Sequence, residues 1–287
     1  GSQLIVSGDG HIEGSVSGGC VEAAVVLEAL DALKDGKTRL LEYGVSDDDA
    51  FAVGLACGGK IRVLVEPVGK QMPQKLLHQL VDAIAKDQSV IYEINTKTFQ
   101  SRLVYDENND RIRQDRSGFK DDKVTFSNVY SPRLKIDIVG AVHIAQALVP
   151  MAKIAGFSPR VIDPRESFAN HERFGSIEIS NDFPDVALTK IEPNFRTAVV
   201  LLTHDPKLDD PALYIALRSE AFYIGALGSR KTHMQRKSRL KNAGFSEKQI
   251  DRIYAPIGLN IGAASPEEIA ISILSEIIAT LRVLKRF

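Results

Sequence analysis

The sequence predicts an α/β protein: a C-terminal parallel sheet with helices on both faces, preceded by a mixed α+β N-terminal part. After residue 135, short and continuously apolar segments alternate with helix-like segments. Strands of that kind are buried on both faces, which requires helices on each side of a parallel sheet. Before residue 132 the strand-like segments follow one another with few helices between them.

Composition and charge set the first limits on function. The chain has 287 residues, of which 44% are hydrophobic and 25% charged, as expected for a globular protein with room for two ordinary domains. Its 36 Lys and Arg residues are balanced by 37 Asp and Glu residues, so the net charge is −1. We therefore expect neither nucleic acid nor an anionic membrane surface as a partner.

The sequence also favours a compartment. No apolar run approaches the roughly 18–20 residues of a membrane span, and no signal peptide precedes the first strand. The two cysteines, Cys20 and Cys57, are too few for a disulfide framework or for a zinc site of their own. We expect a cytoplasmic protein, and the start Gly1-Ser2-Gln3 predicts a chain trimmed at its N-terminus.

The N-terminal part begins with a predicted hairpin and a helix. Asp9-Gly10 lies between apolar segments, which is a strong hairpin signal. A helix follows to about Leu33, and Asp35-Gly36 predicts its C-terminal cap. Strand character returns over residues 37–69. The predicted apolar stripe of the helix comprises Val26, Ala29, Leu30 and Leu33.

A middle segment has no assigned function. It is predicted to form a helix over residues 74–86 and then an antiparallel meander from Val90 to Val129. Pro132 marks the expected boundary with the C-terminal part. The predicted organisation therefore has three parts, residues 1–69, 70–131 and 132–287.

The C-terminal part is predicted to contain four clear strands and a weaker one near Ile177. Its last helix starts at Ser265, where Ser as N-cap, Pro266 and then Glu268 at the third position form a capping box. The four strands are expected at residues 136–139, 160–162, 198–202 and 222–224.

The first of these strands runs into a glycine turn and a helix. Gly140 and Ala145 fit the outer positions of the dinucleotide-binding pattern G-x-G-x-x-G/A, whereas Val142 replaces the middle glycine. Because a β-branched side chain there obstructs a pyrophosphate, the pattern predicts a Rossmann-like fold with an altered ligand. Asp163 ends the second strand, where an acidic residue holds a ribose, and Arg165 follows as a phosphate ligand.

Three loops are expected at the carboxyl edge of this sheet, where ligands bind in such folds. They carry His143, Thr203-His204-Asp205 and the segment from Gly228 to His233. The histidines either converge on a metal or hydrogen-bond around a polar crevice. Because loop position does not fix side-chain direction, we assign no metal site.

The segment from Arg230 to Lys241 contains six Lys or Arg residues and no acid. It is either a solvated helix face or a site where Ser229, Arg230 and the helix N-terminus bind a phosphate or another anion. Nucleic-acid binding is disfavoured, because no aromatic residues are interleaved with the charges.

Each cysteine lies beside a glycine pair. Cys20 follows Gly18-Gly19 at a predicted helix start, where the helix dipole stabilises a thiolate, and Glu22 lies two residues further on. Cys57 precedes Gly58-Gly59, where the backbone can approach a ligand closely. The cysteines are either functional thiols or small buried hydrophobes.

These motifs resemble a known family. The sequences GSVSGGCVE (residues 14–22) and CGG (57–59) are similar to the N-terminal motifs of the XdhC/CoxI family of xanthine dehydrogenase accessory proteins. Further segments resemble the family's C-terminal Rossmann-like domain, and only residues 70–131 or so carry no resemblance. These segments are GAVH (140–143), DPR (163–165), THD (203–205), YIGALGSR (223–230) and PIGLNIG (256–262).

The resemblance implies a chaperone for molybdenum cofactor (molybdopterin) rather than a catalyst. Such proteins bind and protect the cofactor, support its sulfuration and deliver it to a molybdenum hydroxylase such as xanthine dehydrogenase. A cysteine desulfurase and a second copy of the chain are further expected partners. Cys20, Glu22 and Cys57 are the candidates for chemistry on the cofactor. The cofactor-binding candidates are Gly18, Gly19, Gly140, His143, Asp163, Arg165, His204, Asp205, Ser229 and Arg230.

Two alternatives stay open from the sequence. An NAD(P)-dependent oxidoreductase is consistent with the Rossmann-like part and Asp163, but Val142 and the lack of a clear catalytic Tyr-Lys or His-Asp arrangement disfavour it. The other alternative is a pure interaction protein that binds a partner enzyme and no small ligand.

Overall fold

The computed structural model describes residues 2–19, 21–44, 60–106 and 109–284. The chain divides into two compact units, Gly1–Pro132 and Arg133–Phe287. No helix in the described part of the chain combines the length and the hydrophobicity that a membrane span requires.

The N-terminal unit combines small antiparallel sheets with helices. Its described elements are β1 (Leu4–Val6), β2 (Ile12–Gly14), α1 (Glu22–Asp35), β3 (Arg39–Tyr43), β4 (Ile61–Val65), α2 (Gln74–Ala85), β5 (Val90–Asn95), β6 (Ser101–Val104), α3 (Asp110–Arg113), β7 (Gly118–Phe119) and β8 (Thr125–Tyr130).

The first hairpin and helix form as predicted, but the helix buries a different face. Strands β1 and β2 pair antiparallel, and Gly36 caps α1 in the left-handed region at φ 73°. The predicted stripe is wrong for Leu33, which is 38% exposed. The reason is that α1 packs on β4, whose Val63 and Val65 contact a stripe about one residue away. That stripe comprises Val21, Val25, Ala29 and Ala32.

The predicted meander from Val90 to Val129 is also wrong in its strand order. The four strands lie in the order β6-β5-β8-β7, so β8 returns to pair with β5. The connection through α3 is long enough for β7 to fall on the outer side of β8. One apolar cluster joins Leu64 of β4 with Tyr92 and Ile94 of β5, so residues before and after position 69 share a core.

The C-terminal unit alternates strands and helices. Its described elements are β9 (Lys135–Val139), α4 (His143–Ile154), β10 (Ser158–Ile162), α5 (His171–Phe174), β11 (Glu178–Ser180), α6 (Pro184–Ile191), β12 (Thr197–Leu201), α7 (Pro206–Ala216), β13 (Tyr223–Ala226), α8 (Arg230–Asn242), α9 (Glu247–Ile250), β14 (Ile253–Tyr254) and α10 (Pro266–Leu284).

The strands of this unit form one parallel sheet in the order β11-β10-β9-β12-β13-β14. Counted from β9, this is the 3-2-1-4-5-6 order of a Rossmann fold. The predicted Rossmann-like sheet is therefore confirmed, and β14 is an additional strand that the sequence did not indicate. The order reverses between β9 and β12, which is the point at which ligands bind in open α/β sheets.

Both faces of the sheet are covered, as predicted. Helices α4 and α10 pack on one face, where Ile136 and Ile138 of β9 are fully buried. Helices α6, α7 and α8 pack on the other face. The capping box of α10 is present, since the Ser265 hydroxyl accepts the N–H of Glu268 at 3.3 Å and the Glu268 carboxylate accepts the N–H of Ser265 at 3.2 Å.

Candidate functional site at the carboxyl edge of the parallel sheet

The turn between β9 and α4 requires a glycine. Gly140 has φ 108°, a conformation that L side chains rarely adopt. A Cβ atom at this position would lie 2.8 Å from Cγ2 of Thr203, in the loop after β12. The turn therefore packs directly on the next loop of the edge, and Ala145 is fully buried where α4 meets the sheet.

The N-terminus of α4 has unused hydrogen-bond donors. Val142 is its N-cap and supplies no side-chain cap, so the first-turn N–H groups rely on solvent or a ligand. The Val142 side chain is half-buried and packs against the core cluster. His143, the first residue of the helix, is exposed and lies within electrostatic reach of Glu267 at the start of α10.

Asp163 is buried just after β10, and its carboxylate oxygens accept four hydrogen bonds from Ala141 and Arg165. Oδ1 accepts the backbone N–H of Arg165 at 3.0 Å and Nε–H at 2.8 Å. Oδ2 accepts Nη2 of Arg165 at 2.6 Å and the N–H of Ala141 at 2.9 Å. A carboxylate offers about four acceptor positions, so none is left for a ribose. Burial raises the pKa of Asp163, but these hydrogen bonds outweigh it and hold the pKa below its usual value.

Arg173 also holds the turn between β9 and α4, although the sequence did not single it out. Its Nη1 donates to the carbonyl of Ala141 at 3.0 Å, and its Nη2 donates to Gln146 of α4 at 2.9 Å. Ala141 is thus held at its N–H by Asp163 and at its carbonyl by Arg173. No local motif marks Arg173, because its role depends on α5 folding back onto the turn.

The loop after β12 is held in a strained conformation. His204 is exposed and has φ 60°, which is uncommon for a residue other than glycine. Asp205 is the N-cap of α7 and accepts the N–H of Lys207 at 2.9 Å. Thr203 donates its hydroxyl to Asp209 at 2.5 Å, which ties the loop to α7. Asp205 also lies within electrostatic reach of Arg165 in the neighbouring loop.

The loop after β13 ends in the cap of α8. The Ser229 hydroxyl accepts the N–H of Thr232 at 3.1 Å, so this residue is used as an N-cap. Arg230 is exposed and has no ion pair or hydrogen bond with any residue that the structure describes. The guanidinium is therefore available to an anion beside a helix N-terminus.

The basic helix is not a uniformly solvated face. Arg236 is buried, and its Nη2 donates to the carbonyl of Leu227 at 2.9 Å and lies 3.4 Å from Asp209. Arg239 binds Asp210 through Nε at 2.5 Å and Nη2 at 2.9 Å. Only part of the positive charge predicted from the sequence is therefore directed outward.

In the N-terminal unit, Glu22 accepts hydrogen bonds from the loop of residues 15–19, which contains Gly18 and Gly19. Its carboxylate accepts the hydroxyl of Ser15 at 2.7 Å and that of Ser17 at 2.5 Å. It also accepts the backbone N–H groups of Val16 at 3.1 Å, Ser17 at 2.8 Å and Gly19 at 2.9 Å. These bonds, led by that of Ser17, hold the pKa of Glu22 far below its usual value.

The loop that Glu22 holds leads to the predicted thiol. Gly18 and Gly19 have φ 74° and 112°, which suits glycine in this loop. Cys20 and Cys57 lie outside the described residues. Within the described part of the chain, no group of three or more His, Cys, Asp or Glu residues is arranged to hold a metal.

The structure thus brings most of the predicted binding residues to one edge of the C-terminal sheet. Hydrogen bonds and close packing join the turn at Gly140, the Asp163–Arg165 pair and the Thr203 loop. The Thr203 loop is joined in turn to Leu227 through Asp209 and Arg236. These loops form a preorganised edge, and His143, His204, Arg230 and the first N–H groups of α4 have no hydrogen-bond partner there among the described residues.

Comparison with known proteins places the chain in a family. It matches the XdhC Rossmann domain over residues 136–277 and the XdhC and CoxI family over residues 1–44. It is 31% identical to the molybdenum cofactor insertion chaperone PaoD of Escherichia coli K12, across 96% of this chain and 77% of that protein. It is 26% identical to a probable xanthine dehydrogenase subunit of Bacillus subtilis 168, across 98% of this chain and 88% of that protein.

A solved structure agrees with these matches. A protein from Bacillus halodurans, described as a xanthine dehydrogenase, superposes with a TM-score of 0.78 at 28% identity, covering 98% of this chain and 86% of that one. The shared fold, the two matched domains and a relative above 30% identity lead to one conclusion. The chain is a member of the XdhC and CoxI family.

Proposed function

We propose that this protein binds molybdenum cofactor as cargo and supports its insertion into a molybdenum hydroxylase of the xanthine dehydrogenase type. The name of the PaoD relative, a molybdenum cofactor insertion chaperone, supports this proposal. The structural observation that carries it is Arg230, an exposed and unpaired guanidinium at the N-terminus of α8 on the ligand edge of the sheet, with no partner among the described residues.

The chemistry of the cargo suits these groups. Molybdopterin carries a phosphate, and a phosphate is stabilised by helix N-termini and by the forked donors of an arginine. Arg230 with α8 and the uncapped first turn of α4 offer such donors on the same edge. His143, His204 and Asp205 are exposed there and supply further polar contacts in this proposal.

The sulfur and metal chemistry of the cargo is assigned to the cysteines. The dithiolene and the molybdenum are soft, and thiolates are the protein ligands that suit soft centres. We assign this contact to Cys20, with Cys57 as a second candidate. Glu22 is a positioning residue in this proposal, because its carboxylate fixes the loop that precedes Cys20.

The proposal also covers the partners of the protein, its oligomeric state and its compartment in the cell. The protein presents the cofactor for sulfuration by a cysteine desulfurase, acts as a homodimer and works in the cytoplasm. Light scattering of the purified protein tests the dimer. Co-purification tests the desulfurase and the target hydroxylase, and cell fractionation tests the compartment.

An anaerobic titration with isolated molybdenum cofactor tests the function. We expect the Arg230→Ala protein to bind at least about tenfold more weakly, because a charge-assisted hydrogen bond contributes about 1.5–3 kcal/mol. Lys248→Ala removes an exposed cation from α9, beyond the other end of α8, and is expected to leave the affinity unchanged. Equal weakening by both substitutions would indicate a general charge effect and contradict the assignment.

Two further experiments test the role of Cys20 and the alternative of an NAD(P)-dependent oxidoreductase. Cys20→Ala protein is expected to transfer less cofactor to the target enzyme, and unchanged holding and transfer would refute the assignment of Cys20. Saturation-transfer NMR with NADH and NADPH addresses the oxidoreductase alternative. We expect no signal at millimolar nucleotide, since the acceptor positions of Asp163 are occupied by Arg165 and Ala141.

A further inference from the structure

The carboxylate of Asp163 accepts hydrogen bonds of two kinds. Two of its four acceptor positions are taken by backbone N–H groups, those of Ala141 and Arg165. The other two are taken by the side chain of Arg165, through Nε at 2.8 Å and Nη2 at 2.6 Å. The backbone bonds are part of the fold, whereas the side-chain bonds depend on the rotamer of Arg165. Half of the acceptor capacity of Asp163 is therefore held by groups that another pair of donors can replace.

The same guanidinium covers an aromatic ring. Cζ of Arg165 lies 4.2 Å from the centroid of the Phe168 ring. Phe168 is 40% exposed and the Arg165 side chain 43% exposed, whereas the side chain of Asp163 is fully buried. The Arg165 side chain is thus the solvent-facing group that lies over both the carboxylate and the ring.

A nucleoside presents the same two features as this guanidinium. The cis-diol of a ribose has two neighbouring O–H donors, and the Nε–Nη2 edge of an arginine has two neighbouring N–H donors. The base has a flat face that stacks on aromatic side chains. In Rossmann folds, an acidic residue near the end of the second strand accepts the ribose hydroxyls. Arg165 therefore fills, from within the chain, the positions that a nucleoside would use.

A second arginine lies near the ring without sharing this role. Cζ of Arg173 is 5.5 Å from the centroid of Phe168. Its guanidinium donates to the carbonyls of Ala141 and Phe168 and to the side chain of Gln146. Because these bonds anchor it to the backbone and to α4, we expect Arg173 to stay in place when Arg165 is changed.

The neighbouring charges favour a neutral ligand. Asp205 in the next loop lies within electrostatic reach of Arg165. Without the charge of Arg165, the carboxylates of Asp163 and Asp205 outnumber the nearby Arg173, which disfavours a phosphate. Val142 also obstructs the approach of a pyrophosphate to the glycine turn. A nucleoside without phosphate is therefore the suitable probe.

We propose that Arg165 is a specificity-determining residue that excludes nucleosides from the ligand edge of the sheet, because its own side chain occupies the Asp163 carboxylate and the Phe168 ring. Such exclusion suits a protein that has a nucleotide-binding fold and a different ligand, since specificity requires the rejection of competitors. The inference goes beyond the proposed function and does not depend on it, because neither Arg230 nor the cysteines enter the argument.

Two nucleosides that differ by one hydroxyl test the proposal. Binding of adenosine and of 2′-deoxyadenosine to the intact protein is measured by ligand-detected NMR titration. We expect the Arg165→Ala protein to bind adenosine at least about tenfold more tightly than the parent does. The same variant is expected to prefer adenosine over 2′-deoxyadenosine by about fivefold or more, because the deoxynucleoside lacks one of the two donors.

Two further variants locate the binding. Arg218→Ala removes another exposed arginine of the same unit, one that lies over the ring of Phe245, and is expected to give no gain in adenosine binding. Arg165→Ala/Phe168→Ala removes the stacking surface as well and is expected to lose most of the gain.

Thermal unfolding of each variant shows whether it is folded. In the Arg165→Ala protein, Asp163 still accepts the N–H groups of Ala141 and residue 165, so its carboxylate keeps two partners. Arg165→Lys is a second variant that keeps the charge beside Asp163 but lacks the planar fork, and we expect a smaller gain of the same sign.

The proposal is overturned if no folded variant at position 165 gains adenosine affinity over the parent. A gain without preference between the two nucleosides, or an equal gain in the Arg218→Ala protein, also overturns it. Each of these results leaves the cofactor titration of Arg230→Ala unaffected, so the two proposals fail separately.

Discussion

Two buried aspartates of the C-terminal sheet differ in how fully their oxygens are used. All four acceptor positions of Asp163 are occupied, and this holds the turn at Ala141. Asp137, in the middle of β9, is fully buried, and neither of its oxygens has a hydrogen bond among the described residues. Its nearest cation is Arg160 of β10, with Nε 3.3 Å from Oδ1.

Asp137 should make stability depend on pH. Burial raises its pKa to about 6, although Arg160 opposes the shift. Since the folded pKa lies above the unfolded one, the contribution to stability is present at low pH and is lost as pH rises through about 6. We expect Asp137→Asn to gain free energy of unfolding relative to the parent between about pH 4 and about pH 7, by about 1.4 kcal/mol per unit of pKa shift.

Urea unfolding at both pH values measures this difference. Glu172→Gln, which changes an exposed carboxylate of α5, is the matched control and should show no such trend. Parallel stability profiles for the Asp137→Asn protein and the parent would contradict the prediction.

Among the elements, β12 and β13 are linked beyond their ladder by a buried ion pair. Arg236 of α8 contacts Leu227 after β13, and it also contacts Asp209 of α7, which binds Thr203 after β12. The side chains of Arg236 and Asp209 are each only 2% exposed. Nε and Nη1 of Arg236 have no partner among the described residues. The network therefore fixes two of the loops that form the candidate site.

Removing one partner of the Arg236–Asp209 pair should lower the free energy of unfolding more than removing both partners. We expect Arg236→Met to lower the free energy of unfolding by about 3–5 kcal/mol, because Asp209 is left buried without its cation. The double variant Asp209→Leu/Arg236→Met should lose clearly less, since neither charge remains buried.

Chemical unfolding of the two single variants and the double variant gives the coupling energy. Lys237→Met removes a neighbouring surface ion pair with Asp251 and is expected to change stability by about 1 kcal/mol or less. Additive losses for Arg236 and Asp209 would contradict a coupled pair.

For the whole molecule, the division at Pro132 has a physical basis in separate cores. The clusters that cover the two faces of the parallel sheet contain only residues after position 133. The clusters of the N-terminal unit contain only residues before it. Each unit thus buries its own apolar surface, which is what a unit needs in order to fold alone.

We therefore expect a fragment of residues 133–287 to fold by itself. It should give a cooperative, sigmoidal thermal transition in circular dichroism, because its sheet is covered by its own helices on both faces. The separately expressed fragment 1–132 provides the comparison. A fragment 133–287 without a cooperative transition would show that its core requires the N-terminal unit.

Much of the fold was predictable because periodicity reports burial. The alternation of continuous apolar strands with helices identified the parallel sheet, and Ser265 with Glu268 identified the start of α10. The stripe of α1 was misjudged since several alternative apolar faces existed along it, and the partner β4 decides which one is buried. Strand β14 was missed because Ile253–Tyr254 is too short to show a period.

The candidate site was predictable in position and less so in chemistry. Sequence motifs placed Gly140, His204 and Ser229 in loops at the ends of strands, and the structure has them there. The motifs did not indicate that Arg165 occupies acceptor positions of Asp163, nor that Arg236 is buried against Asp209. Both facts depend on which charged groups meet in space.

The fold of the C-terminal unit, the turn glycine and the family could be predicted from the linear sequence, because they depend on local periodicity, backbone conformation and motif spacing. Which polar groups already have hydrogen-bond partners, and which are open to a ligand, became visible in the three-dimensional contacts. The carboxylates of Asp163 and Glu22 accept hydrogen bonds from nearby residues of the chain, whereas Arg230 is free of partners among the described residues. Hydrogen-bond partners come from elements that the fold brings together, and a linear pattern does not record those encounters.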